Sequence, residues 1–108
     1  VCRIAWAEAV AAMARRAREV PADAAVLDEA RQRLKADWNR YLVIEVTQPL
    51  VELAGEYADT FALRGYDSVQ LEAARTVQEA AAEETRFACA DARLRKAAKV
   101  LGMSLAPT

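Results

Sequence analysis

Two short, mostly apolar runs, the first of them rich in β-branched residues, stand out in a chain that is rich in alanine. The first is Tyr-Leu-Val-Ile-Glu-Val at 41–46, and the second is Arg-Phe-Ala-Cys-Ala at 86–90. Alanine favours helix, whereas short apolar runs of this kind indicate buried strands. A third short strand is expected at 103–106. Because strands separated by helices pair in parallel, we predict an α/β fold of three layers, a parallel sheet flanked by helices.

The helices are predicted from periodic apolar residues and from local start and stop signals. We expect them at about 4–18, 22–39, 48–61, 67–82 and 91–101, with 63–66 forming a turn. Thr47 is the expected N-cap of the third helix, and Gly102 is the expected left-handed end of the fifth. Asp67, with Gln70 three residues later, has the spacing of a capping box. The apolar stripes of the first two helices also suit a partner helix.

Length and composition exclude several classes of protein. The 108 residues correspond to one domain, and no apolar run approaches the 18 residues of a membrane-spanning helix. The absence of histidine removes Ser-His-Asp and Cys-His catalysis, and a metal would have to bind carboxylates. The widely spaced Cys2 and Cys89 fit small buried thiols of a cytoplasmic protein. Since an amphipathic segment starts at Val1, we expect further structure upstream.

The formal net charge of −1 conceals an uneven distribution along the chain. Residues 21–84 are strongly acidic, whereas the last 24 residues contain one acid and five basic residues: Arg86, Arg93, Arg95, Lys96 and Lys99. Arginine suits bidentate contacts with phosphate. The basic end is therefore either the solvated face of a terminal helix or a surface for a polyanion.

Three carboxylates are candidates for a functional site. Glu8 is the one charged residue in the segment 4–14, which favours either a partly exposed ion pair or a buried functional role. Asp67 and Asp91 each precede a predicted helix, so each is a candidate N-cap. However, the carboxyl edge of a parallel sheet is also where such folds bind ligands. A cluster of carboxylates there would suit Mg²⁺ or Mn²⁺ and the hydrolysis of phosphodiesters.

Three segments together resemble the PIN-domain family, and within it the VapC-type toxins of bacterial toxin–antitoxin pairs. They are Arg-Ile-Ala-Trp-Ala-Glu-Ala at 3–9, Leu-Arg-Gly-Tyr-Asp-Ser-Val-Gln-Leu at 63–71 and Arg-Phe-Ala-Cys-Ala-Asp-Ala-Arg-Leu at 86–94. The resemblance covers nearly the whole chain and implies a single PIN-like nuclease domain over 1–108. It also implies that the N-terminal strand, with the first acid of the family, is missing from this stretch.

The resemblance implies a metal-dependent endoribonuclease, a hydrolase that uses Mg²⁺ or Mn²⁺. Matched by motif, Glu8, Asp67 and Asp91 would be the second, third and fourth acids, at once catalytic residues and metal ligands. Without the first acid, this stretch alone is expected to have little or no activity. An antitoxin protein and a homodimer are the implied partners, with RNA as the substrate. Cys2 and Cys89 stand where the family often has Ser or Thr, which would weaken metal or phosphate binding.

Arg64, Arg93 and Lys96 are the candidate contacts to the RNA backbone, although Arg64 fits a solvated loop arginine equally well. A competing hypothesis from another class is a non-catalytic module, either PIN-like or helical, that binds a partner. In that case all three acids are helix caps or surface charges. The protein would then have no metal-dependent activity, and substituting the acids would not remove one.

Overall fold

The computed structural model describes residues 1–107, and most of them are helical. Five α-helices lie at α1 (Ala5–Glu19), α2 (Ala24–Asp37), α3 (Gln48–Phe61), α4 (Gly65–Ala80) and α5 (Ala92–Val100). Single turns of 3₁₀ helix lie at Pro21–Asp23 and Trp38–Arg40. The two strands, β1 (Arg86–Phe87) and β2 (Ser104–Leu105), contain two residues each. The helix positions agree closely with those predicted from the sequence.

The predicted three-layer α/β fold is wrong, because the described residues contain no extended sheet. Strand β1 pairs in parallel with β2, with Arg86 opposite Ser104 and Phe87 opposite Leu105. The predicted strand at 41–46 has no regular secondary structure apart from a single bridge between Ile44 and Cys2. Leu42 is 68% exposed, so the apolar character of this run does not reflect burial in a sheet. The prediction of parallel strands joined by a helix is confirmed for one unit of the described residues, in which α5 connects β1 to β2.

The chain divides into two compact units, and the first contains Arg3–Val43 together with Val1. Helices α1 and α2 form a hairpin. Pro21 lies between them and begins the 3₁₀ turn that precedes α2, since proline fits the first turn of a helix but not its interior. Trp38 lies between Trp6 and Tyr41 in edge-on ring contacts, with ring centroids 5.1 and 6.0 Å away. Neither helix contains a fully buried side chain.

The second unit contains Ile44 onwards together with Cys2. Its hydrophobic core consists of side chains from α4, β1, α5 and the segment before β2: Leu71, Phe87, Leu94, Ala97, Ala98 and Met103. The small Ala97 and Ala98 let α5 pack closely, and both are at most 1% exposed. Gly102 has φ of +87°, the left-handed value predicted for the end of α5. The Thr47 cap is also confirmed, since its Oγ1 accepts from the Leu50 N–H at 3.3 Å.

None of the helices within residues 1–107 combines the length and apolar character needed to cross a membrane. Both cysteines are free thiols; Cys2 is buried and Cys89 is half-buried.

Candidate functional site

Asp91 is fixed by its role at the start of α5. Its Oδ1 accepts a hydrogen bond from the Leu94 N–H at 3.0 Å, so the predicted N-cap is confirmed. Leu94 is 4% exposed, and its burial anchors this end of the helix in the core. The cap uses one carboxylate oxygen, and the side chain is still 40% exposed. Asp91 therefore has a second oxygen available for another interaction.

Asp67 is not an N-cap, which corrects the prediction from sequence. Helix α3 ends at the left-handed Ala62, and α4 begins at Gly65 with Arg64 as its N-cap residue. Asp67 is thus the third residue of α4, where a negative charge is stabilised by the free N–H groups of the first turn. The predicted turn at 63–66 is also corrected, because α3 and α4 are joined by the three residues 62–64 and residues 65 and 66 already belong to α4.

Asp67 and Asp91 form one cluster around Arg64. Its Nε lies 3.4 Å from Asp67 Oδ2, and its Nη2 lies 3.7 Å from Asp91 Oδ2. Because one guanidinium contacts both, carboxylates 24 residues apart in sequence converge on the same point. The Arg64 side chain is 82% exposed, so these ion pairs contribute little to stability and exchange readily with solvent.

The cluster lines a cavity of about 470 Å³ between the end of α3 and the starts of α4 and α5. Arg93 forms another part of the wall, and its Nη1 donates to the Ala62 carbonyl at 3.3 Å. Two carboxylates and two guanidinium groups therefore face a single open cavity. Such a set of charges suits a ligand that carries negative charge together with a cation.

Glu8 lies in α1, which belongs to the first unit, and it is half-buried there. Its prediction as a third acid of the same site stays a prediction. Within residues 1–107, no group of three side chains from His, Cys, Asp and Glu has the arrangement of a metal site. Asp67 and Asp91 are the two predicted acids that share a cavity.

The basic side chains of α5 divide into two groups. Lys96 and Lys99 are exposed to solvent, as an interaction with a polyanion would require. Arg95 instead turns inward, and its Nη1 donates to the carbonyls of Cys89 and Ala106, at 3.1 Å in each case. Arg95 therefore fastens the segment before Asp91 to the segment after β2, a role that the charge pattern did not reveal.

Cys89 lies beside the cluster. Burial raises the pKa of its thiol, and the negative charges of Asp91 and Asp67 raise it further, while Arg95 opposes them. A thiol with a raised pKa is protonated at neutral pH and is a poor nucleophile. The site therefore offers carboxylates and guanidinium groups for chemistry, and not a thiolate.

The structure also reveals a buried acid that the sequence analysis overlooked. Glu72 is 5% exposed in α4, on the same face as the buried Ser68 and Leu71. Glu72 lies four residues after Ser68 and therefore on the same helix face, but the burial of Ser68 is known only from the structure, so no clear signal was present in the sequence.

Comparison with known proteins yields no relatives: no family model matches the chain, and neither the curated proteins nor the solved structures contain a match.

Proposed function

We propose that this chain is a divalent-cation-dependent endoribonuclease, the activity implied by the resemblance to VapC-type toxins. The observation that carries the proposal is the convergence of Asp67 and Asp91 on one guanidinium in one cavity. Neither N-cap geometry nor core packing requires this convergence, since only Asp91 caps a helix. We also propose that the protein is cytoplasmic, because its proposed substrate, RNA, is present there.

The donor set fits Mg²⁺ or Mn²⁺. These cations prefer oxygen ligands, and Mg²⁺ commonly binds through one or two carboxylates while water fills its other positions. Asp67 and Asp91 each direct an Oδ2 atom at the exposed Arg64 guanidinium, so a bound cation would take the place of that guanidinium beside the two carboxylates. When bound, the cation activates water and neutralises charge on the leaving oxygen.

The side chains of the cavity and of α5 would bind the RNA backbone and accept a proton. Arg64 and Arg93 contact the phosphodiester, because guanidinium groups match the geometry of phosphate oxygens. Lys96 extends the positive charge along the exposed face of α5. With no histidine in the sequence, a carboxylate of the cavity is the group that accepts the proton of the attacking water.

The test measures cation binding and RNA cleavage in the same set of variants. Mn²⁺ binding is followed by calorimetry, and cleavage by a mixed-sequence RNA that carries a fluorophore and a quencher. Asp67→Asn and Asp91→Asn should each weaken Mn²⁺ binding at least tenfold and abolish any EDTA-sensitive cleavage. Asp59→Asn, an exposed aspartate of α3 outside the cavity, is the matched control and should behave as wild type. Equal Mn²⁺ binding by all three variants would contradict the proposal.

Glu8 is proposed as a further ligand of the same cation. Glu8→Gln should then weaken Mn²⁺ binding, whereas Glu19→Gln, on the exposed end of the same helix, should leave it unchanged. If neither substitution alters binding, Glu8 is an ordinary side chain of α1 and the site depends on the two aspartates.

We also propose that the α1–α2 hairpin binds another helix, supplied by an antitoxin or by a second copy of the chain. The absence of fully buried side chains from both helices favours this, as does a groove of about 280 Å³ between them. Met13 and Leu27 line the groove.

Sedimentation should show a dimer of the wild-type chain. Leu27→Glu should dissociate this dimer, whereas Ala25→Glu, at a neighbouring exposed position, should leave it intact. A monomer at all concentrations would exclude the homodimer. A stable dimer without any cation binding would favour the non-catalytic interaction module.

A further inference from the structure

Glu72 is an acid in the interior of the second unit. It lies on the buried face of α4 and is 5% exposed. Its Oε2 is fully enclosed and has no hydrogen-bond partner among residues 1–107. A buried carboxylate oxygen without a donor is costly, because the ionised group has lost its water and gained nothing equivalent.

The groups around Glu72 do not neutralise it. From α3, the Tyr57 hydroxyl forms a hydrogen bond with the carboxylate. On α4, Arg75 is attractive and Glu79 is repulsive, and these two side chains pair with each other at 3.1 Å. From α5, the buried side chains are Leu94, Ala97 and Ala98, which are all apolar.

The charged side chains of α5 are engaged elsewhere or exposed. Arg93 donates to the Ala62 carbonyl, and Arg95 donates to two backbone carbonyls. Lys96 and Lys99 are exposed to solvent. The interior position of Glu72 thus has one hydroxyl donor and no cation dedicated to it.

We propose that Glu72 is a proton-dependent switch of α3–α4 packing, protonated in the folded chain and disruptive once it ionises. A proton on Oε2 removes the buried charge, so the protonated acid is tolerated as a neutral polar group. Ionisation restores a charge with a single donor between two packed helices. The packing of α3 against α4 is therefore firm at mildly acidic pH and looser at higher pH.

The direction of titration agrees with this geometry. Burial raises the pKa of the Glu72 carboxyl, and Glu79 raises it further, against the lowering effects of Tyr57 and Arg75. A folded-state pKa above that of the unfolded chain means that the folded chain binds more protons in the interval between the two values. Stability is therefore fully present below the unfolded-state pKa and declines as the pH rises through the folded-state pKa.

The test compares Glu72→Gln with Glu56→Gln in the 108-residue chain. Gln is neutral at every pH and has nearly the same shape, while Glu56 is an exposed residue of α3 that serves as the matched control. At pH 8, Glu72→Gln should raise Tm by about 5 °C, and at pH 4 the two chains should melt together. Glu56→Gln should not change the pH dependence of Tm.

Carboxyl ¹³C NMR of the wild-type chain gives a second measurement that requires no variant to fold. The Glu72 resonance should titrate with a midpoint above the ordinary glutamate value of about 4.3. A midpoint at or below that value would overturn the proposal. So would a Tm difference between Glu72→Gln and wild type that is equal at pH 4 and pH 8.

Discussion

Asp91 has two separable roles, and two substitutions distinguish them. Its Oδ1 caps α5 through the Leu94 N–H at 3.0 Å, while its Oδ2 lies 3.7 Å from Arg64. Asp91→Ala removes both interactions. Loss of a good N-cap costs about 1 kcal/mol, and the exposed ion pair adds little. Asp91→Asn keeps an oxygen for the cap and removes only the charge. Because Asn and Asp are comparable N-caps, Asp91→Asn should change the free energy of unfolding by less than about 0.5 kcal/mol.

Urea denaturation followed by circular dichroism measures these differences, and Mn²⁺ calorimetry on the same samples measures the charge-dependent role. Asp91→Ala should be less stable than Asp91→Asn, while both should lose Mn²⁺ binding equally. Thr47→Ala is the matched control, since it removes a cap of the same kind from α3 and lies outside the cavity. It should lower stability by a similar amount and leave Mn²⁺ binding intact. Equal stability of Asp91→Ala and Asp91→Asn would refute the capping argument.

Three further predictions concern charge, backbone conformation and core packing. Arg64→Gln should leave stability almost unchanged, because its ion pairs are exposed, but should reduce the log–log salt dependence of RNA binding by about 0.7 in fluorescence anisotropy. Gly102→Ala forces a side chain into a φ of +87° and should cost about 1 kcal/mol, whereas Gly55→Ala, in an open helical position, should stabilise by roughly the same amount. Leu71→Ala should cost about 2–5 kcal/mol by urea denaturation, since Leu71 is completely buried, while Leu53→Ala at 46% exposure should cost far less.

Helix ends were predictable because their signals are local. Thr47 and Asp91 hydrogen-bond the N–H three residues later, and Gly102 adopts the left-handed conformation that ends α5. Each signal depends on a few neighbouring residues. At these three ends the sequence within one turn was sufficient, whereas the capping-box spacing of Asp67 and Gln70 placed the start of α4 two residues too late.

The prediction of a strand at 41–46 was wrong because local sequence does not determine strand pairing. A strand requires a partner to satisfy its backbone groups, and the identity of that partner depends on the rest of the chain. Ile44 forms one bridge to Cys2, and Leu42 and Val46 are exposed. The apolar, β-branched composition of the segment was real, but composition does not specify pairing. For the same reason the prediction of three layers was wrong, and the structure contains one parallel pair of two-residue strands.

The candidate site shows why an N-cap and a ligand are not exclusive alternatives for an aspartate. Asp91 uses Oδ1 for the cap, which orients the carboxylate and directs Oδ2 towards Arg64. Asp67, in contrast, is the third residue of α4, so capping does not explain its position, and its Oδ2 interacts with the same guanidinium. Both aspartates therefore present one oxygen to the cavity for different local reasons. Because each is held by its helix, substitution of Arg64 should leave both carboxylates in place, with a stronger local negative potential for a cation to neutralise. Mn²⁺ should accordingly bind Arg64→Gln more tightly than wild type, and weaker binding would mean that the guanidinium itself holds the two carboxylates together.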